Sequence, residues 1–246
     1  MFNRFPKTRL PKWLKQINLL KGLKKDLGNL KKCFLLAKRE RITTRYFKTH
    51  SVFKLHLGSN KTVLDGWLCS DLVPKSKQSI FLDVTCKFPF PDQVFDYVYA
   101  EHLIEHLDLE QGFFMLQECF RVLKKNGRMR IATPDLDVIV RLYTGRKKNF
   151  GDEYIKWSIN NFSDKKLSYD PVIVINTLFH HWGHRFLYDY NFIKKCLEKC
   201  GFASIERFSY GQSNDIHLQN IEKHHENVGS LEMVKFEALI VEAVKP

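Results

Sequence analysis

The sequence feature that most constrains the fold is the apolar run from Val52 to Leu57, which stops at Gly58-Ser59-Asn60. Such a run before a glycine turn predicts a buried strand that ends in a tight corner. In an open α/β sheet, ligands bind outside the carboxyl ends of the strands, where a corner without bulky side chains brings backbone N–H groups close to them. Gly58 meets this need, and Asn60 tolerates a left-handed backbone. A plain turn is the alternative interpretation.

Further strands and helices alternate along the chain after this corner. Because strands that alternate with helices pair in parallel, the pattern predicts a doubly wound α/β sheet with helices on both faces. A basic run closes the first long helix, and Gly127 is predicted as its left-handed cap. The predicted strands are 67–72, 79–84, 95–100 and 128–133, and the predicted helix is 111–123.

The stretch between Pro134 and the next predicted strand is about seventy residues long, far more than a plain crossover needs. We expect it to hold its own helices and to cover the carboxyl edge of the sheet as a cap insertion, at about residues 136–188. A further helix is predicted from Asp189 to Gly201, and an antiparallel strand closes the sheet. The predicted cap helices are 136–143, 152–162 and 171–179, and the last strands are 203–210 and 235–244.

Positive charge is concentrated in one part of the chain. The formal net charge is +13, and residues 1–50 hold 15 lysines and arginines against only Asp26 and Glu40, which leaves 25 bases and 25 acids in residues 51–246. Because the body is neutral, nucleic acid is not the expected partner of its site. We predict two parts, a basic helical arm (1–50) and a folded domain (51–246).

Apolar residues recur at three- and four-residue steps from Leu10 to Phe34 with lysines between them, which predicts a basic amphipathic helix. Gly22 and Gly28 weaken it, by about 1 kcal/mol each relative to alanine. Three interpretations stay open: docking on the body or on a second subunit, peripheral binding to an anionic membrane, and gripping RNA.

Six scattered cysteines without a CxxC pair indicate neither a zinc ribbon nor a disulfide framework. The sequence also has no run of eighteen apolar residues and no signal-peptide pattern. These features predict a cytoplasmic protein, with peripheral membrane association through the arm as an addition.

Several segments together resemble the class I S-adenosylmethionine-dependent methyltransferases, in particular the small bacterial type 11 methyltransferases. The resemblance implies a Rossmann-like fold, S-adenosylmethionine as the cofactor and methyl transfer as the activity. It spans residues 52–133 well and 185–245 more loosely. It rests on residues 55–60, Asp71, Asp83, 89–98, 104–107 and 118–128.

The resemblance also implies roles for residues near the first corner. Gly58 and its neighbours His56, Ser59 and Asn60 would approach the methionine part of the cofactor, Asp71 would hold both ribose hydroxyls, and Asp83 with Val84 would meet the adenine. The usual motif has an acid two residues before the first glycine and a second glycine two residues after it. Here His56 and Asn60 occupy those positions.

Two histidine-rich segments are candidates for the reaction itself. His102 and His106 lie four residues apart beside Glu101, and His184 lies in the predicted cap. We predict His102 or His184, with Glu101 behind them, as the base or substrate contact, because a positioned imidazole or carboxylate can remove the proton of an acceptor. The acids of this run are not spaced as in known metal motifs, so no metal is predicted. No role is assigned to His224.

The function predicted from the sequence is methyl transfer to a small-molecule, sugar or glycolipid-type acceptor. Two alternatives are retained. One is a non-catalytic binding module on a methyltransferase fold, anchored by the basic arm. The other is an RNA methyltransferase steered by that arm.

Overall fold

One seven-stranded sheet runs through the computed structural model, which describes residues 12–145, 150–163 and 168–246, with the backbone alone at 12–29 and 31. Its order is β3-β2-β1-β4-β5-β7-β6. Every neighbouring pair is parallel except those that involve β7. The predicted fold class, a mostly parallel sheet with an antiparallel last strand, is confirmed. The strands are β1 (Lys54–Leu57), β2 (Leu68–Asp71), β3 (Ile80–Phe81), β4 (Phe95–Glu101), β5 (Leu123–Pro134), β6 (Ala203–Phe208) and β7 (Ala238–Val244).

The reversed direction of β7 decides what lies at the carboxyl edge of the sheet. Pro134 at the end of β5 pairs with Ala238 at the start of β7. Residues that precede β7 therefore meet the ends of β4 and β5, where parallel α/β sheets bind their ligands.

The described helices pack around this sheet. Asp108 begins α2 with a complete capping box, and Asp189 caps α6, which ends at the left-handed Gly201 (φ 102°) as predicted. These signals are local and fix the helix ends. The helices are α1 (Lys12–Thr49), α2 (Leu109–Val122), α3 (Leu136–Tyr143), α4 (Phe150–Phe162), α5 (Pro171–His180), α6 (Tyr190–Cys200), α7 (His224–Val228) and α8 (Leu231–Glu237).

The main core lies between the sheet and helices α2 and α6, where Met115, Cys119 and Leu197 are fully buried. A separate apolar cluster joins α3, α4 and α5 and includes Tyr154 and Leu178. The three predicted cap helices are thus present and share their own core. Because burial of a large apolar side chain contributes about 1.5–3 kcal/mol, the cap has a stabilising core of its own.

Helix α1 continues fifteen residues beyond the predicted end at Phe34 and docks on the body. Tyr46 is buried, and its hydroxyl accepts the Lys54 N–H at 2.7 Å and donates to the Gly66 carbonyl at 3.0 Å. The helix is continuous through both of its glycines. Most side chains of the predicted amphipathic segment lie outside the described residues, and the boundary at residue 50 stays a prediction.

Three predicted boundaries need correction. The third strand is only Ile80–Phe81, because Asp83 turns the chain by binding the backbone of Thr85. Asn126 (φ 62°), not Gly127, takes the left-handed conformation after α2. The last strand begins at Ala238 rather than residue 235. Residues up to Glu237 instead belong to helix α8, which Ser230 caps.

Candidate functional site

The corner after β1 has the conformation that its sequence predicts. Gly58 has a φ of 66°, which only glycine adopts at little cost. A Cβ at this position would lie 3.0 Å from the side chain of Leu103, so Leu103 covers the corner. Ser59 is buried and donates its N–H to the Ser70 carbonyl at 2.9 Å, and Asn60 is exposed with a φ of 49°.

Asp71 at the end of β2 faces this corner. Its Oδ2 accepts the N–H of Asn60 and its Oδ1 that of Val73, both at 2.8 Å. A carboxylate oxygen has two lone pairs, so each oxygen keeps one for a ligand. Asp71 therefore joins the two neighbouring loops and still offers two acceptors.

Asp83 and Val84 lie beside β3. The Oδ1 of Asp83 accepts both the N–H (3.0 Å) and the hydroxyl (2.7 Å) of Thr85. The hydrogen bond from the Thr85 hydroxyl is the main cause that lowers the pKa of Asp83, so the carboxyl stays ionised. Val84 is buried. The predicted contacts of both residues with adenine stay predictions.

The His56 side chain lies in the core rather than in the open corner. It is only 2% exposed and stacks on Tyr99, with ring centroids 4.9 Å apart. Burial lowers the pKa of His56 to about 3. The backbone of His56 stabilises the corner, because its carbonyl accepts a hydrogen bond from the Ser70 hydroxyl at 2.9 Å. Its predicted contact with the cofactor is untested.

Replacing His56 with Asn is expected to change the pH dependence of stability. An unfolded histidine has a pKa near 6.5, so between about pH 6.5 and 3 the unfolded chain binds a proton that the folded chain refuses. Wild-type stability therefore falls with decreasing pH by about 1.4 kcal/mol per unit from this residue, and H56N lacks that loss. Urea unfolding at pH 7, 6 and 5 should show the stability gap between wild type and H56N narrowing. The same substitution at exposed His180 is the control. A stability difference between wild type and H56N that stays constant with pH would contradict the lowered pKa of His56.

A cavity of about 210 Å³ lies between the sheet edge and the cap. The ends of β4 and β5 form its floor together with α7 and the end of α8, and cap helices α4 and α5 with the loop after α5 form its walls. Its walls are mainly aromatic and its floor carries the ionisable groups, an arrangement typical of small-molecule sites. It is lined by His102, His106, Pro134, Tyr154, Trp157, Ser158, Phe162, Leu178, Trp182, His184, His224, Val228 and Glu237.

His102 follows β4 at the floor of the cavity. It has a left-handed backbone (φ 46°) and precedes the short helix Ile104–His106, so His102 and His106 do not share a helix face. Its Nδ1 lies 3.0 Å from Oε1 of the fully buried Glu105. Burial opposes the charged form of His102, but the hydrogen bond and charge of Glu105 outweigh it and raise the pKa of His102. Glu105 also accepts the Thr133 hydroxyl at 3.0 Å.

Glu101, the last residue of β4, binds backbone at the start of α7. Its carboxylate accepts the backbone N–H of Lys223 (2.9 and 3.0 Å) and of His224 (2.9 Å). It therefore fixes the start of α7. Burial raises the pKa of Glu101, although His102 and these N–H groups oppose the shift. Its predicted part in catalysis stays untested.

His184 does reach the cavity, as its place in the predicted cap suggested. Its Nδ1 lies 2.7 Å from the Leu178 carbonyl and must donate there, which leaves Nε2 free. The pKa of His184 is lowered, chiefly by burial. The structure thus brings two predicted catalytic candidates, His102 and His184, to one cavity.

His224 and Glu237 are among the cavity residues that the sequence analysis missed. The His224 ring stacks on His102 with centroids 3.6 Å apart, and burial lowers the pKa of His224 to about 3. Glu237 is buried and accepts the Tyr154 hydroxyl. A usable signal existed: because the last strand was predicted antiparallel, the residues before it had to return to the carboxyl edge.

The corner residues suit S-adenosylmethionine. The glycine leaves backbone exposed to a close ligand, and Asp71 keeps two acceptor positions for a pair of adjacent hydroxyls. Leu103 is the side chain that would lie beside the ligand at Gly58. The corner is therefore compatible with a nucleoside that approaches the backbone closely and donates two hydroxyls to Asp71.

Residues 68–131, from β2 into β5, match the model of a family described as "Methyltransferase domain". Among solved structures, a SAM-dependent methyltransferase from Archaeoglobus fulgidus is 18% identical, with a TM-score of 0.46 over 85% of this chain and 93% of that one. The Haemonchus contortus phosphoethanolamine N-methyltransferase 2 in complex with S-adenosyl-L-methionine is 14% identical, with a TM-score of 0.44 over 85% of this chain and 52% of that one. No curated protein matches.

The strand order and the match at residues 68–131 define the class: the chain has the class I methyltransferase fold, and the predicted resemblance is confirmed. S-adenosylmethionine, the predicted cofactor, is the cofactor of this domain family. Bacterial origin stays a prediction. None of the described helices combines the length and the hydropathy that a membrane span requires.

Proposed function

We propose that this protein is an S-adenosylmethionine-dependent methyltransferase whose acceptor binds in the cavity beneath the cap. One observation carries the proposal: two consecutive residues join the two sites. Leu103 packs on Gly58 at the cofactor corner, and His102 lines the cavity. The cofactor corner and the cavity are therefore neighbours at the same sheet edge, as methyl transfer requires.

Each part of the site has a task in this reaction. When bound, S-adenosylmethionine supplies a methyl group that is already activated on a sulfonium. Gly58 and Asp71 would hold the cofactor, the first by its bare backbone and the second by its carboxylate. The aromatic walls of the cavity exclude water, and its histidine-bearing floor receives the heteroatom of the acceptor.

The cavity favours a small acceptor group. Its volume of about 210 Å³ is below the usual range for a whole drug-sized ligand, so it fits one ring or a short polar chain. Trp157 and Trp182 offer flat apolar faces, and the floor offers hydrogen-bonding groups. We propose the hydroxyl of a small molecule, a sugar or a glycolipid headgroup, in a cytoplasmic protein. Nucleic acid is less suitable, since the basicity lies in residues 1–50.

Calorimetric titration of the full chain with S-adenosylmethionine tests the proposal. We expect saturable binding of one cofactor per chain, with S-adenosylhomocysteine competing for it. Absence of binding at millimolar cofactor would contradict the proposal. That result would favour a non-catalytic module, for which the structure offers one supporting observation: both oxygens of Asp71 already accept backbone N–H groups.

A further inference from the structure

We infer that His102, His224 and Glu237 form a binding site for a divalent transition-metal ion of the zinc class at the floor of the cavity. No metal is predicted from the sequence, and the comparisons assign none. The inference does not depend on the proposed methyl transfer, because the side-chain geometry alone carries it.

The three side chains are close enough to share one ion. Ligand atoms of His102, His224 and Glu237 all lie within 4.8 Å of one another. Ligands of a tetrahedral Zn²⁺, each about 2.0–2.2 Å from the ion, are about 3.4 Å apart. The two imidazole rings are stacked with their centroids 3.6 Å apart. Because an imidazole nitrogen coordinates in the plane of its ring, both rings must turn for their nitrogens to point at one ion.

The contacts behind these side chains orient them as ligands. Metal-binding histidines commonly donate their second ring N–H to a carboxylate, which fixes the tautomer. Nδ1 of His102 lies 3.0 Å from Glu105, so its Nε2 is the nitrogen left for an ion. Glu237 is held by the Tyr154 hydroxyl at one oxygen and keeps the other. Glu101 anchors the backbone N–H of His224.

The charges of the site independently call for a cation. Glu101, Glu105 and Glu237 lie around the two stacked imidazoles, and Glu105 and Glu237 are buried. Among the described residues, these three carboxylates form one ion pair, between Glu105 and His102, and none with a lysine or arginine. Three carboxylates beside two imidazoles leave negative charge in excess, and a divalent ion would offset the cost of burying it.

A second set of groups in the same cavity, Glu105 with His106 and His184, is the competing assignment. It is less suitable because both Glu105 oxygens have partners, His102 at one and Thr133 at the other. Binding an ion there would break the contact that orients His102. In the favoured triad, three protein ligands leave a fourth position open towards the cavity, as in catalytic zinc sites.

Zinc titration of the full chain tests the assignment without any methyl acceptor or cofactor. Bound metal is removed with a chelator, exposed Cys33 and Cys86 are alkylated, and Zn²⁺ affinity is measured by competition with a chromophoric chelator. We expect one tight Zn²⁺ per wild-type chain. H224Q and E237Q should each bind more than about 100-fold more weakly, since loss of a mere supporting contact already costs 10–100-fold.

The matched control is H106Q, which changes the same residue type in the same cavity but only in the competing set. Its zinc affinity should stay within about twofold of wild type, well below the effect of losing a supporting contact. Wild type without a tight site would overturn the inference. So would H106Q losing zinc while H224Q keeps it. Circular dichroism and cofactor titration of each variant show that it is folded, and a chain that binds the cofactor but not zinc refutes this inference alone.

Discussion

Replacing Arg130 with Met is expected to destabilise the fold by about 3–5 kcal/mol, the usual result of removing one partner from a buried ion pair. Arg130 on β5 is fully buried, and its Nε donates to Glu222 at 2.5 Å. Nη1 of the same side chain pairs with the buried Glu242 and donates to the Gln212 carbonyl at 2.9 Å. The Met variant would leave two carboxylates without a cation in the core.

Arg128→Met is the matched control for this experiment. Arg128 lies two residues earlier on the same strand and pairs with Asp215 at 3.3 Å, but its side chain is 36% exposed. Exposed pairs contribute about 0–1 kcal/mol, so R128M should be nearly neutral. Urea unfolding of both variants makes the comparison, and equal losses would refute the role of Arg130. A triple variant with Leu at 222 and 242 should recover stability, because apolar groups can replace a buried ion network.

The second large effect is expected on cofactor affinity. Asp71→Ala should weaken S-adenosylmethionine binding roughly 10- to 100-fold, because hydrogen bonds to a charged acceptor contribute about 1.5–3 kcal/mol. Asp71 also joins the loops at Asn60 and Val73, so part of the loss could come from a loosened corner. Calorimetry measures the affinity, and urea unfolding measures the accompanying loss of stability.

Two further variants separate the causes. D71N keeps one oxygen acceptor and should bind the cofactor better than D71A. Asp152→Asn removes an exposed carboxylate on α4 and should leave the affinity unchanged. An affinity of D71A within twofold of wild type would show that Asp71 serves only the loops.

Features fixed by local chemistry were predicted well. The α6 boundaries follow from an aspartate that caps the first turn and a glycine in the left-handed region at the end. The corner at Gly58 follows from an apolar run that stops at a residue without a side chain. Both signals lie within a few residues of the structure they determine.

Features that depend on competition between local signals were predicted less well. Apolar and polar residues alternate from Lys235 onward, which extended the predicted last strand into α8. The Ser230 side chain caps that helix by accepting a hydrogen bond from the Met233 N–H. This cap outweighs the strand-like alternation of apolar and polar residues. After α2, Asn126 takes the left-handed position, while Gly127 is needed for space: a Cβ there would lie 2.9 Å from the Lys124 carbonyl.

The composition of the cavity could not be derived from spacing. His102 and His224 are 122 positions apart and meet only because β7 reverses direction at the end of β5. The buried pair of Arg130 and Glu222 then fixes the segment just before His224. A close pair such as His102 and His106 attracts notice in a sequence, whereas the stacked partner of His102 lies in a segment without a motif.

A cofactor-bound crystal structure of the full chain tests the central claim most directly, because it shows both sites at once. The account predicts that the ribose hydroxyls of S-adenosylmethionine lie within hydrogen-bond distance of the Asp71 carboxylate, with the methionine part at Gly58 and the sulfonium methyl facing the cavity beside His102. Cofactor bound elsewhere, or at the corner with its methyl turned away from the cavity, would contradict it.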